Sequence, residues 1–273
     1  MSSRTLILYH GSCLDGFAAA WAARRYFGGN AEYMAVKYGE EPPDVTGKRV
    51  HILDFSYPRA KLIEMNDKAS GLIVLDHHKT AQEDLAGLDF AEFDMNHSGC
   101  VLSWRYFFDA PVPDLLLHVQ DRDLWRFRLP GTKEVCLALY ELIGFDFDEW
   151  DRLFANPIHI DHLKSIGTAL VKIQTNHLDK AIKHKHEVII DGIKISACNA
   201  LPNLSSELGN MLAKDNVNGI GLVYYFDGIT SKWRYSLRSI GDVDVTPIAK
   251  LFDGGGHRNA AGFESVYNPF ELK

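Results

Sequence analysis

An uninterrupted apolar run, Leu72 to Leu75, leads directly into Asp76, His77 and His78, and it constrains the fold more than any other feature of the sequence. Aliphatic and β-branched residues without alternation are typical of a parallel strand that is buried on both faces. Sheets of such strands bind ligands at the carboxyl ends of the strands. The acid and the two imidazoles therefore lie where a site would form, and they suit a divalent transition metal. A polar turn with solvated histidines is the alternative that this stretch alone leaves open.

Length and charge limit the classes of protein. The chain has 273 residues, 46% of them hydrophobic and 24% charged, which favours a globular protein with one large and one small domain. Its net charge of −7 provides no overall attraction for nucleic acid. The composition argues against a protein that wraps duplex DNA. It favours a small anionic substrate held by local cations or a metal.

The cysteines and the N-terminal residues favour a particular cellular compartment. Cys13, Cys100, Cys136 and Cys198 form no C-x-x-C pair, which favours reduced thiols in the cytosol. The first residues, 1–5, have no signal-peptide pattern, and no apolar stretch reaches the about 20 residues that span a bilayer. A cytoplasmic protein with no membrane partner is the prediction.

Periodicity predicts an α/β fold, with a mostly parallel sheet flanked by helices, followed by helices and a smaller α/β unit. Strands are predicted at Thr5–His10, Ala31–Tyr38, Val50–Phe55, Gly71–Leu75 and Leu88–Phe93, alternating with helices. Helices are predicted from Ser98 onward, including a long one at about 158–184. Beyond it, strands are predicted near 188–197, 219–226 and 233–239, with helices near 204–213 and 246–252.

Four polar clusters follow predicted elements. They are His10 to Asp15 after the first strand, Asp54 after the third, Asp76-His77-His78 after the fourth, and Asp121-Arg122-Asp123 after a helix that ends at Gln120. A single Asp after a strand is most often a cap or turn residue, and Asp15 is a candidate cap of the next helix. Capping alone explains three such clusters poorly, because carboxyl ends of parallel strands converge on one edge.

Carboxylates and imidazoles together suit two Mn²⁺ ions, with Mg²⁺ or another divalent metal as the alternative, because Mg²⁺ prefers oxygen ligands. Two ions about 3.5–4 Å apart can share a carboxylate and a hydroxide, which supplies a nucleophile for in-line attack on phosphorus.

The Asp76-His77-His78 triplet resembles the motif of the DHH phosphoesterase superfamily. The C-terminal part resembles the companion DHHA1 domain in the segments 236–239, 244–249 and 254–262. The resemblance covers nearly the whole chain in the expected order. It implies a metal-binding catalytic domain at 1–155, a helical linker at 156–186 and a substrate-binding DHHA1 domain at 187–273.

The resemblance also implies the ligands of two Mn²⁺ ions. Matched by position, these are Asp15, Asp54 as the bridging carboxylate, His77, and either Asp121 or Asp123. Asp121 is the first choice, because it directly follows the predicted helix. His78 is expected to face the substrate phosphate and to act in catalysis beside Asp54 and His77, and Asp76 to orient the triplet.

The first motif departs from the family pattern. The family has His-x-Asp-x-Asp-Gly, whereas the stretch from His10 to Gly16 has Cys13 in place of the first Asp and His10 one residue further out. His10 and Cys13 remain candidate ligands. A thiolate ligand would favour a softer metal. Partial occupancy of that position, or Cys13 as a small buried turn residue, are the open alternatives.

The predicted substrate-binding residues lie in the C-terminal part. Gly255 and Gly256 belong to a glycine segment that can bring backbone N–H groups close to an anion, and His257 and Arg258 add donors. Arg238 is a second predicted phosphate clamp, because its planar fork suits phosphate oxygens. A plain glycine turn and a surface salt bridge of Arg238 are the alternatives.

These features predict a metal-dependent phosphodiesterase that hydrolyses short oligonucleotides or dinucleotides to mononucleotides through a metal-activated hydroxide. The two core domains and the acidic charge favour short substrates, and Trp125, Phe127 and Tyr140 are candidates to stack on a base. A 5′-exonuclease on longer single strands is one alternative. A nucleotide sensor that has lost catalysis through Cys13 is another. A homodimer is a candidate assembly.

Overall fold

The computed structural model describes residues 4–11 and 13–271. The chain divides into two compact units, Met1–Val171 and Lys172–Lys273, and the division falls inside one long helix. Each unit has its own sheet.

The first unit alternates strands with helices and then continues as helices. Its strands are β1 Thr5–His10, β2 Ala31–Val36, β3 Arg49–Leu53, β4 Gly71–Asp76 and β5 Ala91–Phe93. Its helices are α1 Leu14–Phe27, α2 Arg59–Lys68, α3 Lys79–Asp84, α4 Gly99–Phe107, α5 Asp114–Asp123, α6 Thr132–Ala138 and α7 Phe147–Ala155, followed by α8 His159–Ala181, which enters the second unit.

The sheet of the first unit has the order β2-β1-β3-β4-β5, and all its strand pairs are parallel. The predicted mixed α/β fold with a parallel sheet is confirmed. The strand order reverses between β1 and β3, since β2 lies on one side of β1 and β3 on the other. Ligands of open α/β sheets bind in the crevice beyond the carboxyl ends at such a reversal.

Both faces of this sheet are covered, which explains the uninterrupted apolar run in β4. Alternate side chains enter different cores: Ile7, Leu53 and Leu75 lie in one, and Leu6 and Val74 lie in the other. A strand buried on both faces has no position for a polar side chain until it ends. The polar residue of β4, Asp76, is therefore confined to the end of the strand.

Helix α1 brings α4 close to the sheet edge. Its central residues from Ala18 to Ala23 are fully buried, and most of them are alanine. Small side chains allow the two helices to approach closely, and Trp21 stacks on Trp104 of α4 at a centroid distance of 6.3 Å. The N-terminus of α4 is thereby fixed beside the start of α1.

The second unit contains β6 His186–Ile190, β7 Ile193–Asn199, α9 Ser205–Asp215, β8 Ile220–Asp227, β9 Lys232–Ser239, α10 Thr246–Lys250, β10 Gly255–His257 and β11 Ala260–Ser265. Its sheet has the order β10-β11-β9-β8-β7-β6, in which β7 and β8 are parallel and the other pairs are antiparallel.

Three sequence predictions about elements are wrong. The single strand predicted near 188–197 is the hairpin of β6 and β7, which turns at Asp191 and Gly192 with φ of 50° and 73°. An Asp-Gly pair with two positive φ angles is typical of a tight hairpin turn. The glycine segment expected as a loop contains β10, and Asp121 to Asp123 complete α5 rather than follow it. In the described part of the chain, no helix combines the length and apolar character needed to cross a membrane.

Candidate metal centre

Three neighbouring strands deliver polar residues to the same level of the sheet. Tyr9, Leu53 and Leu75 are partners in the parallel register of β1, β3 and β4. The residues that follow them, His10, Asp54 and Asp76, therefore lie side by side at the carboxyl edge. The predicted convergence of these clusters is present in the structure.

Asp54 occupies a backbone conformation that L residues rarely adopt, with φ of 56°. Its N–H donates to Leu75 O at 2.9 Å, which holds the turn against β4. Asp is among the few residues that tolerate this region without large strain. The turn places a buried carboxylate, 1% exposed, at the carboxyl edge of the sheet.

The two oxygens of Asp54 face different partners. Oδ1 lies 3.0 Å from His77 Nε2. Oδ2 lies 3.6 Å from His10 Nδ1 and 3.7 Å from Cys13 Sγ. The carboxylate thus separates two groups of donor atoms.

His77 Nε2 is the centre of the more acidic group. It lies 3.6 Å from Asp15 Oδ2 and 3.5 Å from Asp123 Oδ2, in addition to Asp54. Three carboxylates from β3, α1 and α5 therefore surround one imidazole nitrogen.

Asp15 is held by the N-terminus of α4. Its Oδ1 accepts hydrogen bonds from Ser98 Oγ at 2.7 Å and Cys100 N at 3.1 Å, and its Oδ2 accepts one from Gly99 N at 2.6 Å. A helix N-terminus stabilises an anion through its unpaired N–H groups and its dipole. The expectation that Asp15 caps α1 is wrong, because this carboxylate is used across the fold.

Gly99 makes this arrangement sterically accessible. A Cβ at Gly99 would lie 2.4 Å from Asp54 Cβ and 2.8 Å from Asp54 Oδ1. Only glycine allows the helix start and the central carboxylate to approach so closely. Gly16 has a similar function beside His10, since a Cβ there would lie 2.3 Å from His10 O.

Asp76 contacts the two histidines that follow it, which is the arrangement that the resemblance implied. Its Oδ1 accepts from His77 N at 2.7 Å and lies 2.7 Å from His78 Nδ1, while Ser56 Oγ donates to Oδ2 at 2.5 Å. Asp76 is fully buried. The carboxylate therefore holds the backbone of His77 and the ring of His78.

Asp123 rather than Asp121 reaches the cluster, so the preference for Asp121 is corrected. The Asp121 carboxylate accepts from Arg128 N at 2.8 Å, Leu129 N at 3.0 Å and Thr132 Oγ1 at 2.6 Å. It holds the turn after α5, in which Trp125 and Phe127 have positive φ. Residues two apart on a helix point in different directions, so only one of the pair can face His77.

The electrostatics of the cluster reflect the crowding of acids. Burial and the charges of Asp54 and Asp123 raise the pKa of Asp15 to about 8. Burial disfavours the charged form of Asp54, but its interactions with His10 and His77 prevail and hold its pKa well below the usual value. Burial also opposes the charged form of His77, yet its hydrogen bond to Asp54 and the charges of Asp123, Asp54 and Asp15 raise its pKa to about 10. A divalent cation would relieve this crowding.

The donor set fits divalent metal ions. Asp15, Asp54 and His77 offer ligand atoms within 4.8 Å of one another, and so do His10, Cys13 and Asp54. Carboxylates and imidazoles are the ligands expected for Mn²⁺, and a thiol extends the second group toward softer ions. Asp54 is the member common to both groups.

Sequence reasoning missed several residues of this centre. Ser98 and Gly99 carried no motif that linked them to Asp15, and Ser56 carried none that linked it to Asp76. Tyr38 is half exposed, and its ring lies 5.3 Å from that of His10 and 6.2 Å from that of His78. Tyr38 follows the end of β2 at Val36, and this position beyond a strand end was the available signal.

The predicted substrate-binding residues lie in the second unit. Arg238 of β9 is opposite Ala260 of β11, which is opposite His257 of β10. Opposite residues of antiparallel strands project to one face, so Arg238 and His257 lie on either side of the small Ala260. The backbones of Arg238 and His257 are about 10 Å apart, which is twice the strand spacing. The Arg238 guanidinium donates to Ser206 Oγ at 2.9 Å and Leu237 O at 2.8 Å.

The glycines and Arg258 serve the hairpin of β10 and β11. Gly255 and Gly256 pair with β11, and a Cβ at Gly256 would lie 2.5 Å from Ala260 O. The Arg258 guanidinium donates to Asp242 O and lies 3.4 Å from its carboxylate. Close packing against β11 therefore explains why position 256 is a glycine.

Comparison with known proteins was made by sequence and by structure. The chain is 35% identical over 289 residues to an uncharacterized protein of Acanthamoeba polyphaga mimivirus, covering 94% of this chain and 66% of that protein. It is 24% identical over 298 residues to the oligoribonuclease NrnB of Bacillus subtilis, covering 97% and 74%. No protein-family model matches the chain.

Among solved structures, an exopolyphosphatase-related protein from Bacteroides fragilis has a TM-score of 0.49 and 14% identity, covering 98% of this chain and 88% of that one. Similarity at this level carries no information on activity. The motif order, the parallel sheet with its Asp-His-His strand end and the sequence similarity to NrnB all fit the DHH phosphoesterase superfamily.

Proposed function

We propose that this chain is a metal-dependent phosphodiesterase that hydrolyses short oligonucleotides or dinucleotides to mononucleotides. The observation that carries the proposal is the Asp54 carboxylate, whose two oxygens face two separate groups of metal-ligating atoms. Such a shared carboxylate is the central element of two-metal phosphodiester hydrolysis. The similarity to an oligoribonuclease over most of both chains supports the substrate class.

Two Mn²⁺ ions held on either side of Asp54 would polarise the phosphoryl group and activate water. Asp15, His77 and Asp123 would hold one ion with Asp54, and His10 and Cys13 the other. The N-terminus of α4 keeps the Asp15 carboxylate in place through three hydrogen bonds, so little reorganisation is needed on binding.

His78 is proposed to protonate the leaving oxygen. Its Nδ1 lies 2.7 Å from Asp76 Oδ1, which defines the orientation of the ring. Burial disfavours the charged form, but the charge of Asp76 and its hydrogen bond raise the pKa of His78. A raised pKa keeps the acid form populated near neutral pH.

In the second unit, Arg238 and His257 are proposed to bind the substrate phosphate or terminal nucleotide, with Arg258 at the adjoining turn. The small Ala260 lies between Arg238 and His257 in the strand register. Ser206 restrains the guanidinium of Arg238, which lowers the conformational entropy lost on binding. A cytoplasmic location and a homodimer remain predictions.

The proposal is tested by the dependence of turnover on chain length. With Mn²⁺ present, kcat/KM is measured for single strands of two to twenty nucleotides. We expect the highest value for the shortest substrates. A maximum at twenty nucleotides would instead support a 5′-exonuclease. Tight nucleotide binding with metal bound and no turnover of any length would overturn the enzyme and support a sensor.

A further inference from the structure

Cys13 differs from the other cysteines, all of which the structure describes. Cys100, Cys136 and Cys198 are buried, and their thiols lie 3.6 Å, 3.3 Å and 3.3 Å from the backbone oxygens of Leu116, His118 and Ala181. Cys13 is partly exposed, and its Sγ faces the Asp54 carboxylate. Three thiols thus pack in cores, and one faces the metal centre.

The surroundings of Cys13 contain a second unused donor. Cys13 is the N-cap residue of α1, but its side chain makes no capping hydrogen bond. The Nδ1 atom of His10 is buried, makes no hydrogen bond and lies 3.6 Å from Asp54 Oδ2. The Cys13 thiol and the His10 imidazole therefore both lie beside the same oxygen of the Asp54 carboxylate.

The separations of these atoms resemble the edges of a tetrahedron. Bonds of about 2.3 Å to sulfur, 2.05 Å to nitrogen and 2.1 Å to oxygen give tetrahedral edges of about 3.6 Å for S···O and about 3.4 Å for N···O. The observed separations are 3.7 Å for Cys13 Sγ to Asp54 Oδ2 and 3.6 Å for His10 Nδ1 to Asp54 Oδ2. Three protein donors with one position left for water or substrate are typical of catalytic zinc.

We propose that His10, Cys13 and Asp54 form a position that prefers Zn²⁺ to Mn²⁺, so that the two positions sharing Asp54 take different metals. The inference rests on the proposed function, because it concerns the same centre. A thiolate ligand selects a softer ion, while three carboxylates and one imidazole at the other position suit Mn²⁺. On binding, the thiol proton leaves to solvent and sulfur binds the ion as thiolate.

The test uses Co²⁺ as a spectroscopic substitute for Zn²⁺. The metal-free full chain is titrated with CoCl₂, and thiolate-to-cobalt charge transfer is read in the near ultraviolet. We expect one such band per chain in the wild type and in the control Cys198→Ser, and no band in Cys13→Ser. Zn²⁺ affinity should fall at least about 10-fold in Cys13→Ser, since even residues that only support a ligand contribute about 10–100-fold.

The Cys13→Asp variant tests whether a carboxylate in place of the thiol makes this position prefer Mn²⁺. In a mixture of MnCl₂ and ZnCl₂, the wild type should retain one ion of each metal, and Cys13→Asp should retain two Mn²⁺. Binding of Co²⁺ without the band, or an identical band in Cys13→Ser, overturns the inference and leaves the proposed function standing. Failure of every ion to bind at both positions overturns both.

Discussion

The two sides of the Asp54 carboxylate are built differently. On the Oδ1 side, Asp15 and Asp123 join His77, with Asp15 buried and Asp123 partly exposed. On the Oδ2 side, His10 and Cys13 supply an imidazole and a thiol, with no further carboxylate in the described group. The first side has enough negative charge to hold a proton in the absence of metal. The two oxygens of Asp54 therefore face donor groups of different chemistry.

Removal of the shared charge should have the largest effect. Asp54→Asn keeps the shape of the side chain and a residue that tolerates positive φ, so the fold should persist. We expect phosphodiesterase activity to fall at least about 1,000-fold, a loss of about 4 kcal/mol of transition-state stabilisation, and both ions to bind weakly. Steady-state kinetics and metal content measure this.

Asp109→Asn is the matched control, because Asp109 is exposed beyond the opposite end of α4. Its kinetics should equal those of the wild type. Full activity in folded Asp54→Asn would contradict the shared role.

Displacement of Asp54 without loss of charge should have the next largest effect. In Gly99→Ala, the added Cβ would lie 2.4 Å from Asp54 Cβ, so the carboxylate must move. A displacement of about 1 Å at a catalytic group can cost about 100-fold in kcat. Gly71→Ala, at the other end of β4 with nothing within 4 Å of its Cβ position, is the control and should retain kcat. Equal kcat in the two variants would show that the approach of α4 is not needed.

A pair of variants separates the proposed metal-binding role of Asp123 from the structural role of Asp121. Asp123→Asn should lower Mn²⁺ affinity about 10–100-fold with little change in the free energy of unfolding. Asp121→Asn should lower the free energy of unfolding by about 1–3 kcal/mol, because acceptors for Leu129 N and Thr132 Oγ1 are lost, and should retain metal. Isothermal titration and urea unfolding measure the two effects. The reverse assignment of effects would restore Asp121 as the ligand.

The smallest expected effect is the dependence of Mn²⁺ affinity on pH. With the pKa of Asp15 near 8 and that of His77 near 10, both groups are protonated at neutral pH without metal. Ligands bind metal in the deprotonated form, so Mn²⁺ affinity should rise with pH from about 6 to about 8, and binding should release protons. Calorimetry in buffers of different ionisation enthalpy counts them. Affinity independent of pH would show that these groups are not ligands.

The sequence predicted the parts of this centre that depend on a strand end. The apolar run into Asp76 identified a buried parallel strand, and Asp54 and His10 followed from the same rule. It could not distinguish Asp121 from Asp123, because that choice depends on the rotation of α5. The contacts of Asp15 with α4 and the approach of Gly99 to Asp54 join residues far apart in sequence, and only the packing of α1 on α4 brings them together. The β6–β7 hairpin was missed although Asp191-Gly192 is a local turn signal.

The most direct test of the shared and unequal centre is anomalous diffraction from crystals grown with MnCl₂ and ZnCl₂. We expect two peaks on opposite sides of Asp54, with manganese beside Oδ1 and His77, and zinc beside Oδ2 and Cys13. Two peaks of the same metal would contradict the inequality of the two sides. Peaks that contact a single oxygen of Asp54, or none, would contradict the shared carboxylate itself.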